Sequence, residues 1–400
     1  MNERKLFQQY LAPTSEAPML LPVVSASGAT LYDHTGKEYI DLIGGISVCN
    51  VGHCHPKVVE AIEQQSRQFL HVMVYGEVVQ SPQVRYAQML CRHLPASLDC
   101  VYFTNSGAEA VEGAMKLAKR LSGRPEIIAC HNSYHGSTQG ALSLLGDEYW
   151  RQAYRPLLPG IRHMRHNDFD SLEAISSQTA AVIIEPVQAE AGVLVPSKAW
   201  MLALQKRCNK TGALLILDEI QTGFGRTGTL WAFEQFDIIP DILLLGKALG
   251  GGMPLGAFIS GKDKMAALAK NPVLGHLTTF GGHPVSCAAG MAAFKALLEE
   301  KMMDAVAAKA QLFRELLVHP AIKAVRNSGL MFAVALDSFE RVQQVIHYCM
   351  TTEESHRVFT DWFLFAPECI RIVPPLMIPE DAIRLACQTL IRGIDIAMKT

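Results

Sequence analysis

Residues 213–252 read ALLILDEIQTGFGRTGTLWAFEQFDIIPDILLLGKALGGG. The stretch holds two continuous apolar runs, ALLIL at 213–217 and ILLL at 242–245. Both are short and bounded by turn residues, which favours strands over helices. Runs that are apolar on both faces suit buried, mostly parallel strands covered by helices. Each run ends abruptly in polar chemistry. Asp218 and Glu219 follow the first, and Gly246 and Lys247 follow the second ahead of a glycine-rich turn.

Working outward, the same pattern recurs. CVYFT at 100–104, IIAC at 127–130 and AAVII at 180–184 read as further strands. Between them, residues 108–121 place Ala110, Val111, Ala114, Met115, Leu117, Ala118 and Leu121 on one helical stripe. Strand, turn and helix in alternation predict a doubly wound α/β sheet. Toward the C-terminus the texture changes. Residues 288–317 are helix-rich, 329–336 (GLMFAVAL) and 369–373 (CIRIV) read as strands, and a helix is expected from Pro379 onward. Near the N-terminus, 30–32 and 38–40 are strand candidates around the turn Asp33-His34-Thr35-Gly36. An α+β element at each end thus flanks the central sheet. No internal repeat or flexible linker separates them.

The composition restricts the function. The chain has 400 residues, 49% hydrophobic and 18% charged, enough to bury a large core and unlike a disordered protein. Lys plus Arg number 36 and Asp plus Glu 38, a net charge of −2, which argues against a nucleic-acid partner bound through overall charge. No run of ~18 apolar residues is present to span a membrane. The opening MNERKLFQQYLAPTSEAP lacks the apolar core of a signal peptide. Ten cysteines, none spaced C-x-x-C, read as reduced thiols, so a cytoplasmic enzyme is expected. Gly52-His53-Cys54-His55 crowds its would-be ligands and has no second cluster at zinc spacing, so no metal site is expected.

In open α/β sheets ligands bind beyond the carboxyl ends of the strands. After CVYFT come Asn105-Ser106-Gly107-Ala108 and a helix. Small residues there suit a phosphate at a helix N-terminus; a plain N-cap by Asn105 or Ser106 explains them at least as well. After AAVII come Glu185 and, five residues on, Glu190. Any one charged residue at a strand end would read as merely solvated. Here three apolar strands deliver carboxylates and a lysine to one edge. A lysine held among apolar walls has a lowered pKa and acts as an amine nucleophile. A carboxylate facing it suits a pyridinium nitrogen, the pairing that pyridoxal phosphate chemistry requires.

The stretch 217–257 resembles the signature of class III (subgroup II) aminotransferases, the group of ornithine, acetylornithine and 4-aminobutyrate aminotransferases. Collinear matches are GHCHPKVVEAI (52–62), TNSGAEAVEGAMKLA (104–118), SYHGSTQGALS (133–143), EPVQAEAGV (185–193), TTFGGHPVSCAAG (278–290) and CIRIVPPLMI (369–378). The resemblance implies a fold type I enzyme with a mostly parallel seven-stranded sheet in a large domain (46–290). A smaller α+β domain would come from both chain ends (1–45 and 291–400). It implies pyridoxal 5'-phosphate as cofactor and a homodimer with shared active sites. Lys247 is implied as the Schiff-base and proton-transfer lysine, and Asp218 as the partner of the pyridine nitrogen. Gln221 is implied at the phenolic oxygen and Tyr134 on the ring face. Ser106, Gly107 and Ala108 would hold the phosphate, Thr279 would reach it in the neighbouring subunit, and His135 and Glu185 would complete the cofactor site.

For substrate, the resemblance implies that Arg371 binds a carboxylate and that Glu190 masks it when an amine end enters. The implied reaction moves an amino group from an ornithine-like, acetylornithine-like or other ω-amino donor to a 2-oxo acid such as 2-oxoglutarate. Two substrate positions are distinctive. Ser137 stands where those enzymes carry a second arginine, and a hydroxyl does not replace a guanidinium fork. Ile46 stands where ornithine aminotransferases carry a tyrosine. Ser137 keeps open an ω-amine or alanine transaminase, and also a racemase, decarboxylase or aminomutase of the same scaffold. Residues 351–366 depart from the family pattern and receive no role.

Overall fold

The computed structural model describes residues 3–74, 76–353 and 356–399. Near the N-terminus lie β1 (Val23–Ser27), β2 (Thr30–Asp33) and β3 (Glu38–Asp41). The centre supplies β4 (Cys100–Thr104), β5 (Glu126–Cys130), β6 (Ile161–Met164), β7 (Thr179–Ile184), β8 (Leu214–Asp218), β9 (Ile242–Leu245) and β10 (Gly256–Ser260). Then come β11 (Ala324–Ser328), β12 (Met331–Ala335), β13 (Arg357–Phe359), β14 (Asp361–Phe363) and β15 (Ala366–Ile372).

The central strands form one seven-stranded sheet, ordered β4-β10-β9-β8-β7-β5-β6. The run from β9 to β6 is parallel, and β10 is antiparallel to both its neighbours. The apolar runs of the sequence are buried because helices cover both faces. Along β8, Leu215 and Leu217 join the core that contains Trp200 and Leu204 of the helix Lys198–Thr211. Ile216, between them, joins the opposite core with Ala110, Val111 and Ala114 of the helix Gly107–Ser122. This two-residue alternation is what a strand covered on both sides must show.

Two four-stranded sheets lie beside it. One is ordered β1-β2-β3-β13, the other β11-β12-β15-β14. In the first, β13 runs parallel to β3, pairing Arg357 with Tyr39. In the second, all three pairings are antiparallel. The strand expected at 369–373 begins earlier, at Ala366, and the unassigned stretch before it supplies β13 and β14.

One buried guanidinium fastens these parts together. Arg226, on the loop after β8, donates to the carbonyls of Leu330 (2.9 Å) and Pro374 (2.6 Å) and to Asn50 Oδ1 (2.6 Å). It is fully buried, so each of these bonds replaces water that cannot reach it.

Candidate active site

The carboxyl ends of β4, β7, β8 and β9 converge on a cavity of about 240 Å³. Gly107, Tyr134, Ser137, Glu190, Asp218 and Lys247 are among the residues lining it. Lys247 follows β9 by two residues and has φ of 48°, a backbone conformation that costs energy outside glycine. Its Nζ donates to Gln221 Oε1 at 2.8 Å. Burial holds the amine down to about 8; the nearby Glu190 carboxylate opposes that shift and the Arg371 guanidinium adds to it. An amine so placed is partly neutral near neutral pH and can act as a nucleophile and base.

Asp218 is the last residue of β8. Its Oδ1 accepts from the Ile220 N–H at 3.0 Å, and its Oδ2 lies 2.7 Å from His135 Nδ1. Burial disfavours charge on His135, but the hydrogen bond to Asp218 and that carboxylate's charge outweigh it and raise the imidazole above its ordinary value. Asp218 is therefore oriented from two sides. Glu185 accepts from the Tyr134 N–H (3.0 Å) with one oxygen and from the Ala189 N–H (3.1 Å) with the other. Burial pushes its carboxyl up to about 7, with the His135 charge opposing. It thereby ties the Tyr134 loop to the segment that carries Glu190.

The helix Gly107–Ser122 starts at the cavity. Ser106 Oγ caps it by accepting from the Glu109 N–H at 3.2 Å, and the Glu109 carboxylate accepts from the Asn105 N–H at 2.8 Å. The cap reading of Ser106 is thus realised, while Gly107 and Ala108 line the cavity. The first N–H groups of a helix have no intrahelical acceptor and suit an anion. A Cβ on Gly107 would come within 2.7 Å of Ile220 Cδ1, so a larger residue there would make the Ile220 side chain shift.

These residues fit pyridoxal phosphate. The helix end suits the phosphate, Lys247 the aldehyde and Asp218 the ring nitrogen. Gln221 Nε2 is buried without a hydrogen-bond partner among the described residues, a donor that an acceptor oxygen in the cavity would satisfy. Tyr134 lines the cavity, and its hydroxyl lies 3.1 Å from Ser137 Oγ.

A second cavity of about 380 Å³ adjoins the first and shares Tyr134, Glu190 and Lys247 with it. Ile46, Asp361, Trp362 and Arg371 also line it. Ile46 and Ser47 both have positive φ, 60° and 62°, uncommon outside glycine and most of all for the β-branched Ile46. The Arg371 guanidinium meets the Glu190 carboxylate edge on, with Nη1–Oε1 of 2.6 Å and Nη2–Oε2 of 2.9 Å. Burial disfavours both charges, yet each sustains the other: Glu190 stays below its ordinary value and Arg371 above its own. The Arg371 Nε donates to Asp361 Oδ1 at 2.8 Å.

Among the expected residues, Thr279 stands apart. It is exposed and lines neither cavity. Ser137 is exposed at the rim of the first cavity, and among the residues lining the two cavities Arg371 is the one arginine. Sequence reasoning passed over Ile220, Trp362 and Asp361. The one signal for Asp361 is its register, directly opposite Arg371 in the β14–β15 pair. His53 and His55 of the Gly-His-Cys-His stretch turn to Asp41 (2.6 Å) and Glu300 (3.3 Å). No grouping of three or more His, Cys, Asp or Glu suited to a metal occurs among the described residues.

Known proteins resemble this chain over most of its length. The family model described as aminotransferase class-III matches residues 11–394. An acetylornithine aminotransferase of Methanopyrus kandleri is 39% identical over 392 residues, 96% of this chain and 97% of that protein. Ornithine aminotransferase 1 of Staphylococcus aureus is 36% identical over 399 residues, covering 96% and 97%. Among solved structures, the ornithine aminotransferase of Toxoplasma gondii superposes with a TM-score of 0.91 at 29% identity, covering 100% of this chain and 96% of that one. The omega transaminase of Pseudomonas jessenii, in complex with PMP, gives 0.91 at 25% identity, covering 100% and 99%.

Proposed function

The chain belongs to the class-III aminotransferases and is a pyridoxal-phosphate enzyme; on that premise we propose that it moves an amino group from an ornithine-like, acetylornithine-like or other ω-amino donor to a 2-oxo acid such as 2-oxoglutarate. The observation that carries this reading is the buried bidentate pair of Arg371 and Glu190 beside Lys247. With the pair closed, the Arg371 charge is met by Glu190 and the pocket admits an amine end. With Glu190 withdrawn, Arg371 presents a fork that matches a carboxylate.

When bound, pyridoxal phosphate supplies an aldehyde that condenses with amines and a ring that accepts an electron pair. The protein supplies the rest. Lys247 Nζ takes the proton from the substrate carbon that bears the amine. Asp218, oriented by His135 and the Ile220 N–H, keeps a positive charge on the ring nitrogen. Gln221 Nε2 would hold the phenolic oxygen, and Tyr134 would cover the ring. Gly107 and Ala108 receive the phosphate at the helix N-terminus.

One observation favours a second reading of the acceptor. Among the described residues that line the two cavities Arg371 has no companion arginine, and Ser137 stands where the family resemblance implies one. A monocarboxylate oxo acid such as pyruvate would need only one fork.

We place residues 1–45 and 291–400 in one smaller unit around a large cofactor-binding unit, 46–290, because β13 completes the sheet that β1 to β3 begin. The working form is a homodimer in the cytoplasm. Leu70, Val79, Val273, Leu277 and Phe280 are exposed apolar side chains, and the two segments that carry them meet where the His71 and Phe280 rings lie tilted, 4.8 Å between centroids. Such a patch suits a second copy, which would bring Thr279 toward its neighbour's phosphate. All ten cysteines are free, as a reducing compartment requires.

The test is a donor panel. Glutamate, ornithine, N-acetylornithine, 4-aminobutyrate, alanine and a simple terminal amine are added singly to the cofactor-loaded enzyme while its absorbance is followed. Rapid conversion by glutamate and an ornithine-type amine supports the dual-substrate reading. Conversion by alanine with glutamate inert supports the monocarboxylate acceptor instead. Sedimentation of a monomer alone would remove the dimer.

A further inference from the structure

We infer that Asp361 is a positioning residue for Arg371, holding the guanidinium so that its Nη1/Nη2 edge stays aimed at substrate while Glu190 is withdrawn. The inference rests on the proposed reading of Arg371 as the carboxylate site.

Arg371 has two separable sets of partners. Glu190 occupies only the Nη1/Nη2 edge. The other set comes entirely from β14. Asp361 Oδ1 takes Nε at 2.8 Å, the Trp362 carbonyl takes Nη2 at 2.7 Å, and the Phe363 ring lies 4.5 Å from the guanidinium carbon. Asp361 is set directly opposite Arg371 by the strand register, and Thr360 Oγ1 donates to the Arg371 carbonyl at 2.6 Å. These restraints are built into a hairpin and do not depend on where the Glu190 side chain points.

Two physical consequences follow. A substrate carboxylate bonds in bidentate fashion only if the fork is already aligned, and an arginine side chain is otherwise rich in rotamers. A buried guanidinium stripped of its carboxylate would also be left uncompensated during the exchange. Asp361 meets both needs, because it is a second, partly buried carboxylate on the edge that the substrate does not use. Burial pushes its carboxyl up to about 6, with the Arg371 charge opposing and the Glu190 charge assisting.

The test compares Asp361→Asn, Asp361→Leu and Arg371→Ala holoenzymes. Propionate, an unreactive carboxylate, is titrated by calorimetry, and pyruvate and 2-oxoglutarate are used for steady-state kinetics. For Asp361→Leu, we expect propionate affinity to fall about tenfold while the bound cofactor's absorption spectrum is unchanged. For Asp361→Asn, which keeps the shape and one acceptor, KM for the better oxo acid should rise severalfold with kcat within about twofold. In a Glu190→Gln background the Asp361 effect should grow, since the other carboxylate is gone. Unchanged affinity and KM in both Asp361 variants, with carboxylate binding lost in Arg371→Ala, would overturn the positioning role alone. Unchanged carboxylate binding in Arg371→Ala would overturn the arginine reading itself, and this inference with it. Equal losses in kcat and in cofactor binding would mark Asp361 as merely structural and also overturn it.

Discussion

Lys247 Nζ donates to Gln221 Oε1 across 2.8 Å, and Lys247 is also one of the few non-glycine residues with positive φ, at 48°. The lysine is therefore held at one end by backbone strain and at the other by a single amide oxygen. Burial lowers its amine to about 8. Above that pH the neutral amine predominates. Borohydride trapping of pyridoxal phosphate on the peptide that contains Lys247 should rise with pH and reach half its plateau near 8. A profile still climbing steeply at about pH 10, as for a solvated lysine, would contradict the burial argument.

Ser137 sits at the cavity rim with its Oγ 3.1 Å from the Tyr134 hydroxyl. Ser137→Arg places a guanidinium at that rim, beside the Tyr134 hydroxyl. The expected outcome is about a tenfold gain in kcat/KM for glutamate or 2-oxoglutarate, with little change for alanine or pyruvate. Equal kcat/KM for the dicarboxylates before and after the change would show that position 137 does not face a distal carboxylate.

His53 Nε2 lies 2.6 Å from Asp41 Oδ2, and Asp41 Oδ1 accepts from the N–H groups of Ile43 and Gly44. The Asp41 hydrogen bond, followed by one to Cys49, raises the imidazole from 6.5 to about 10. A raised folded pKa means that the stabilisation is fully present below 6.5 and is lost as pH rises through about 10. His53→Gln should cost about 2 kcal/mol at pH 7 and progressively less toward pH 10. Parallel unfolding curves of the two proteins across that range would refute the pair.

Arg226→Met leaves the Leu330 and Pro374 carbonyls and Asn50 Oδ1 without their donor, in a place water does not reach. We expect a loss of about 3 kcal/mol or more in urea unfolding. Arg226→Lys should recover only part of it, because one ammonium cannot span all three acceptors. Full recovery by lysine would mean that charge, and not the fork, holds the three segments.

The sequence made the central sheet legible because burial on both faces leaves a signature that needs no partner: β7, β8 and β9 are continuous apolar runs. Lys247 and Asp218 were legible for the same reason, as the polar residues where those runs stop. Ser106 was ambiguous from sequence, since a cap and a phosphate site demand the same small polar residues; its hydroxyl accepts from the Glu109 N–H, and a capping hydroxyl still has a hydrogen to donate. β13 and β14 were not legible. Each has three residues, too few for any periodicity, and each exists because of partners far along the chain. Asp361 gained meaning only from lying opposite Arg371. Ile46 was picked out by the family resemblance, but its left-handed backbone leaves no mark in the residue type.

The parallel pairing of β3 with β13 joins positions 318 residues apart, as in the hydrogen bond from Arg357 Nη1 to the Tyr39 hydroxyl. During synthesis every residue of the cofactor end, from Gly107 to Lys247, emerges before β13 does. A nascent chain can assemble the phosphate cradle and the lysine while its first strands still wait for their last neighbour. Loop closure over such a distance is slow, and an unpaired β3 is an open strand edge in the meantime. Arg371, the proposed carboxylate site, lies on β15 and emerges later still, so the order of synthesis favours a chain that completes its cofactor end before its proposed substrate arginine.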